Sequence, residues 1–189
     1  MRRSIDRHGI CERDRMTAPQ RRDWRGLLLM ISAVIVALDR WTKYLVHKHI
    51  ASGDMKVIIH GTFGISNLQN NGAAFSLFAD SASPSRTRWM LIAFSLFAAL
   101  VVLLMILKAG RRLTATTVAL ALVLGGAVGN LWDRVFDKTV TDFIAVNLHF
   151  GSWHYHWPDF NIADSAIVIG GLLLLLDALR GSRETDKAV

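Results

Sequence analysis

The sequence predicts an all-α integral membrane protein of four transmembrane helices, with a small extracytoplasmic β-sheet and loop region. Three observations predict it. Apolar residues form 52% of the 189-residue chain, and they are bunched into runs rather than dispersed, at a mean hydropathy of +0.32. Four runs reach the roughly 20 residues needed to cross a hydrocarbon core of about 30 Å. Basic residues cluster on alternate connections, as they do when one side of a bilayer retains them.

Taken in order, residues 1–23 are charged and carry no apolar period, so they read as a disordered basic tail lying against lipid head groups. They lack the apolar core of a cleavable signal peptide. The first predicted span runs from Trp24 to about Val46, interrupted late by Asp39, Arg40 and Lys43. The second is Trp89 to Leu107, the third about Leu113 to Leu131, and the fourth about Ile162 to Leu179. Residues 24–180 therefore form the membrane unit, and 181–189 a second tail. Between the first two spans, Met55–Ser66 combines β-branched and aromatic residues with turn-forming glycines, which predicts a small sheet on the membrane surface. Residues 132–161 read as an outer loop in which Trp153, Tyr155 and Trp157 fit an interfacial aromatic belt. Gly125 and Gly129 form the small-xxx-small spacing of closely packed helices. A phosphate loop is excluded there, because no strand precedes the glycines and the following lysine is missing.

Charge sets the topology. The N-terminal stretch to Arg25 holds eight basic residues, the loop Lys108–Arg112 three, and the C-terminal tail three more, making 14 of the 22. All three segments fall on one side of a four-helix arrangement, so both termini are predicted to be cytoplasmic. The net charge of +7 is local to those segments, and no nucleic-acid-binding signature accompanies it. A single cysteine, Cys11, excludes an intrachain disulfide and a CxxC motif.

This topology gathers the costly polar residues at one depth, near the outer surface. Asp39 and Lys43 lie late in the first helix, Asn130, Asp133 and Arg134 late in the third, and Asp164 opens the fourth. Asp142 follows the third helix inside Val-Thr-Asp-Phe-Ile. An acid in apolar surroundings is costly unless it is paired, hydrated or functional. Most of these have plain alternatives: a solvated helix end for Asp39, Arg40 and Lys43, a structural ion pair for Asp133 and Arg134, and helix capping for Asn161 and Asp164. Asp142 has no evident capping duty. His149, His154 and His156, with Asp159 nearby, invite a zinc reading, but their spacing lacks HExxH or a CxxC partner, so a surface loop is the expected role and no metal is assigned. No GxSxG supports a serine nucleophile at Ser152 or Ser165.

Five motifs in order then resemble one family. Asp39-Arg40-Trp41-Thr42-Lys43, Asn70-Asn71-Gly72-Ala73-Ala74-Phe75-Ser76, Gly125–Arg134, Val140-Thr141-Asp142-Phe143-Ile144 and Phe160-Asn161-Ile162-Ala163-Asp164-Ser165 are similar to the lipoprotein signal peptidases, four-helix aspartic proteases of bacterial membranes. The resemblance covers about residues 24–180. It implies that Asp142 and Asp164 are the catalytic pair. Asp39, Lys43, Asn70, Gly72, Asn130, Asp133, Arg134 and Asn161 would support them or face the substrate. It implies no metal or organic cofactor, and a substrate prolipoprotein cut just before its diacylglyceryl-modified cysteine. It further implies a monomer among phospholipids of the bacterial inner membrane, with its active site at the extracytoplasmic face. The competing reading is a small proton- or ion-coupled transporter using the same acids. Coupling sites of that class sit near the bilayer midplane between repeated halves, whereas these acids lie at one end and no repeat is evident.

Overall fold

The computed structural model describes residues 23–72, 83–151 and 153–186. The basic tail with Cys11, the Ala73–Ser76 end of the second motif, Ser152 and residues 187–189 lie outside them. The described residues form four helices and four strands in the order α1 (Arg25–His49), β1 (Met55–Ile59), β2 (Phe63–Asn70), α2 (Pro84–Ala109), α3 (Ala115–Phe136), β3 (Val140–Phe150), β4 (Trp153–Phe160) and α4 (Ile162–Asp186). Each predicted span thus becomes a helix. Three of them, α2, α3 and α4, are long and apolar enough to cross a membrane. Helix α1 is 25 residues long but carries Asp39, Arg40 and Lys43 towards its end.

Helix α3 is the central element and packs against all three others. It starts with a reciprocal cap in which Thr114 and Thr117 exchange side-chain and backbone hydrogen bonds. Its glycines set the approach of its neighbours. A Cβ at Gly125 would come within 2.8 Å of the Ile35 side chain on α1, and one at Gly126 would collide with the Ala163 carbonyl on α4. A Cβ at Gly129 would meet the Asp39 carboxylate at 3.0 Å and the Ala163 side chain at 3.2 Å, so the close-packing role read from the Gly125/Gly129 spacing holds. Leu28, Ile106, Leu120, Ala121 and Leu124 form the apolar core that ties α1, α2 and α3 together. The buried positions of α1 are Leu28, Ser32, Asp39, Lys43 and Val46, spaced to form one helical stripe. That stripe turns from apolar to charged along its length, and Met30, Val34, Leu38, Trp41 and Tyr44 on the remaining surface are exposed.

The sheet is larger than the sequence predicts. All four strands join in one antiparallel meander, β1-β2-β3-β4. Residues 140–160, expected as a loop, are instead a hairpin turned at Gly151, whose φ of 62° suits glycine. Helices α1 and α3 run into the sheet and α2 and α4 run out of it, so the sheet caps one end of the bundle. Asp142 therefore stands on a strand, paired opposite Leu68.

Candidate active site

Strand alternation and one helix start bring the two acids together. Side chains two apart share a sheet face, and Val140, Asp142, Val146 and Leu148 of β3 all line one cleft of about 530 Å3. Asp164, in the first turn of α4, lines it from the other side with Ser165, Ile167 and Val168. Asn70, Asn130 and Arg134 complete the polar part of the wall, and Trp157, Pro158 and Phe160 the apolar part.

Each carboxylate is held by amides. Asp142 accepts from Asn161 Nδ2 at 2.8 Å on one oxygen and from Asn70 Nδ2 at 2.9 Å on the other. Asp164 accepts from Asn130 Nδ2 at 2.7 Å and from the Asn161 backbone N–H at 3.2 Å. Asn161 Oδ1 in turn accepts the Asp164 N–H at 2.9 Å. Asn161 and Asp164 thus form a reciprocal helix cap, and Asp164 is both a capping residue and a member of the carboxylate pair. The capping role read from sequence is correct and does not compete with the functional one. Burial, and next the charge of Asp164, push the Asp142 carboxyl up to about 7, against the opposing effect of its bonds from Asn70 and Asn161.

Behind the pair lies a buried ionic cluster. Lys43 Nζ stands 2.7 Å from both Asp39 Oδ2 and Asp133 Oδ2, and Arg40 pairs with the other oxygen of Asp133 and with Asp137 at 3.1 Å. The two buried carboxylates, Asp39 and Asp133, face Lys43 and Arg40, which makes the burial tolerable. The spare oxygen of Asp39 accepts the Ala163 N–H at 3.0 Å, and Asp133 accepts the Thr141 N–H at 3.4 Å. Ala163 precedes Asp164 and Thr141 precedes Asp142. One ammonium therefore bridges the tethers of both acid-bearing segments. Lys43 also donates to Asn130 Oδ1 at 3.3 Å, and Asn161 Nδ2 reaches the same oxygen. With its oxygen so engaged, Asn130 presents its Nδ2 to Asp164.

Arg134 is a neighbour rather than a partner of the acids. It donates to the Gly72 carbonyl and to the Asn130 carbonyl, each at 3.2 Å, while the Gly72 N–H donates to Asn70 Oδ1 at 2.8 Å. All ten candidate residues thus fall into one connected set. Two contributors escaped the sequence reading. Arg40, matched within the first motif and given no role, holds Asp133, and His47 Nε2 lies 2.9 Å from Thr141 Oγ1 beside Asp142. Helical spacing places His47 one turn beyond Lys43, the one signal in the sequence that pointed to it. His149, His154 and His156 lie on the hairpin, and among the described residues no three His, Cys, Asp or Glu side chains gather as a metal site.

A cleft with two facing carboxylates, set at the end of membrane-length helices, is the layout of a membrane aspartic peptidase. Comparison with known proteins agrees. The family described as Signal peptidase (SPase) II matches residues 31–180. A lipoprotein signal peptidase of Solibacter usitatus is 42% identical over 162 residues, covering 86% of this chain and 96% of that protein. One from Pseudomonas putida is also 42% identical, over 84% of this chain and 90% of its own. A solved bacterial membrane enzyme superposes with a TM-score of 0.71 at 28% identity, over 83% of this chain and 90% of that one. A second does so with 0.68 at 30%, over 82% and 93%. The chain belongs to the signal peptidase II family and is an aspartic endopeptidase.

Proposed function

We propose that the chain removes the signal peptide from diacylglyceryl-modified prolipoproteins, cutting just before the lipidated cysteine, with Asp142 and Asp164 as the catalytic pair. The observation that carries the reading is that both acids line one cleft whose remaining wall is mostly apolar. Two neighbouring carboxylates do not both ionise easily, so the pair keeps one proton near neutral pH and titrates as a unit. The charged member takes a proton from water as the water oxygen bonds to the scissile carbonyl carbon. The protonated member donates to the carbonyl oxygen, and the C–N bond then breaks with a proton delivered to the leaving amine. Asn70, Asn130 and Asn161 orient the carboxylates, and Arg134 and Gly72 border the path of the substrate backbone. Asp39, Lys43 and Asp133 fix the spacing of the two segments. No metal takes part in this scheme.

Val146, Leu148 and Trp157 extend the cleft wall along the hairpin towards exposed Tyr155, Trp153 and Phe150, a surface suited to acyl chains and the lipid interface. In this reading α1 spans the bilayer with the other three helices, both termini are cytoplasmic, and the site opens at the outer face of the bacterial inner membrane. Residues 24–180 form the peptidase, flanked by a basic cytoplasmic tail and a short second tail, and the protein acts as a monomer among phospholipids. Asp142→Asn and Asp164→Asn are each expected to lower cleavage of a purified lipid-modified prolipoprotein by at least about 100-fold, with the variants still folded in detergent. Turnover near wild type in either variant refutes the pair. Activity that is lost to EDTA and restored by zinc refutes the metal-free scheme.

A further inference from the structure

On the face of the hairpin opposite the cleft, His149 and His154 are direct cross-strand partners. Leu148 and Tyr155, the next pair, point the other way. The Nδ1 atoms of the two rings approach to 2.5 Å, with the rings crossed at 72° and their centroids 4.7 Å apart. The second nitrogen of His149 is occupied, because Nε2 meets the Gly61 carbonyl at the β1–β2 turn. A carbonyl only accepts, so Nε2 carries the proton and Nδ1 is left as a bare lone pair facing His154. Metal-binding imidazoles commonly show this arrangement, in which the ring nitrogen away from the metal donates to a backbone carbonyl and fixes the tautomer.

We propose that the tip of the β3–β4 hairpin binds one zinc-class divalent cation through the Nδ1 atoms of His149 and His154, with water in the remaining positions. Zinc–nitrogen bonds of about 2.0–2.1 Å in a tetrahedral site place two nitrogens about 3.3 Å apart, so the rings need to part by under about 1 Å. Binding moves the His154 proton from Nδ1 to its Nε2 through solvent, with no net proton release when both rings are neutral, and leaves the Gly61 bond in place. The two ligands are already registered by strand pairing, so little ordering is needed. The neighbouring His156 is committed elsewhere, with Nδ1 2.9 Å from Asn147 Oδ1 and Nε2 3.1 Å from Asp159. The site lies off the catalytic face, so it is a staple for the hairpin that carries Leu148 and Trp157, and proteolysis does not depend on it.

The test is zinc titration of the full chain in detergent at about pH 7.5, prepared without a polyhistidine tag, followed by imidazole NMR and by counting coordinated imidazoles with Cu2+ and pulsed EPR. One saturable site with two coordinated imidazoles is expected, with Cu2+ tighter than Zn2+ and Mn2+ weakest, following the general order for nitrogen ligands. His149→Ala or His154→Ala should weaken it at least tenfold, while His156→Gln leaves it unchanged. Binding that survives both alanine changes, or that is lost with His156→Gln, overturns the assignment. So does the absence of saturable binding below millimolar zinc, which would leave the pair a plain histidine–histidine hydrogen bond. Peptidase activity is measured in parallel and is expected to persist with EDTA, so failure of this site and failure of the carboxylate pair give separate results.

Discussion

Asp142 is almost fully buried, with a relative exposure of 2%, and its environment favours the neutral acid. The folded-state value is about 7, against an ordinary carboxylate value of 3.8. Between those two values the folded chain binds a proton that the unfolded chain has released, so stability falls as pH rises through that window and levels off above it. Asp142→Asn cannot titrate. Its melting temperature relative to wild type should therefore rise between about pH 4 and pH 7, and a constant difference in a thermal scan would show that burial costs the carboxylate little. Catalysis has the same sign: the rate should fall as pH rises past about 7, where the pair loses its shared proton. In the sequence this residue stood out because no plain role explained an acid inside Val-Thr-Asp-Phe-Ile. Asp164 was legible twice, as a cap and as an acid. The work of Arg40 and His47 was barely legible, because their partners Asp133 and Thr141 lie far along the chain and only the packing of α1 against α3 and β3 brings them close.

The helices were readable because each is a long apolar run, and their predicted limits match the observed elements to within a turn or two, with Trp24 and Leu113 lying one and two residues before the helices they were expected to open. The β3–β4 hairpin was not. Val140–Phe143 are all buried, so the strand shows no polar–apolar alternation, and its one acid points into the cleft rather than to solvent. In β4 the aromatics alternate with histidines, a pattern equally suited to an interfacial loop. What joins helices to sheet is the ionic cluster around Lys43, whose two carboxylates each hold a backbone N–H of an acid-bearing segment. Lys43→Met should leave Asp39 and Asp133 with too little positive charge and destabilise the fold by about 3–5 kcal/mol, the cost of breaking a buried pair. Reversible unfolding in mixed micelles measures it, and a loss under about 0.5 kcal/mol, within the range of ordinary surface changes, would mean that the cluster rearranges freely. The remaining activity per folded molecule should also drop, because both tethers loosen together.

The bundle is asymmetric along its length. Its charged and amide side chains gather at the end where the sheet sits, while the opposite end carries the short basic connection Lys108–Arg112. Only α2, α3 and α4 are apolar enough to be recognised as spans by composition. The case for α1 rests on its partners: Asp39 and Lys43 are 0% exposed, so the helix hides these two charges in its packed face and presents Met30, Val34, Leu38, Trp41 and Tyr44 outward. Concealed and mutually paired, they do not oppose insertion as lone charges would. With α2 and α3 crossing, the α2–α3 connection and the sheet lie on opposite sides of the bilayer, and the positive-inside rule predicts the connection on the cytoplasmic side. Single cysteines at two exposed positions, Arg111→Cys and Lys56→Cys in a Cys11→Ser background, report which side each of those segments faces in intact cells treated with an impermeant thiol reagent. Labelling of Lys56→Cys alone is expected, with Arg111→Cys reacting only after the membrane is opened. If instead α1 lay along the surface, the three remaining helices would still place those two positions on opposite sides, but the N-terminal tail would no longer be held on the side of Arg111. The native Cys11 then decides between the two: protected in intact cells if α1 crosses, reactive together with Lys56→Cys if it does not.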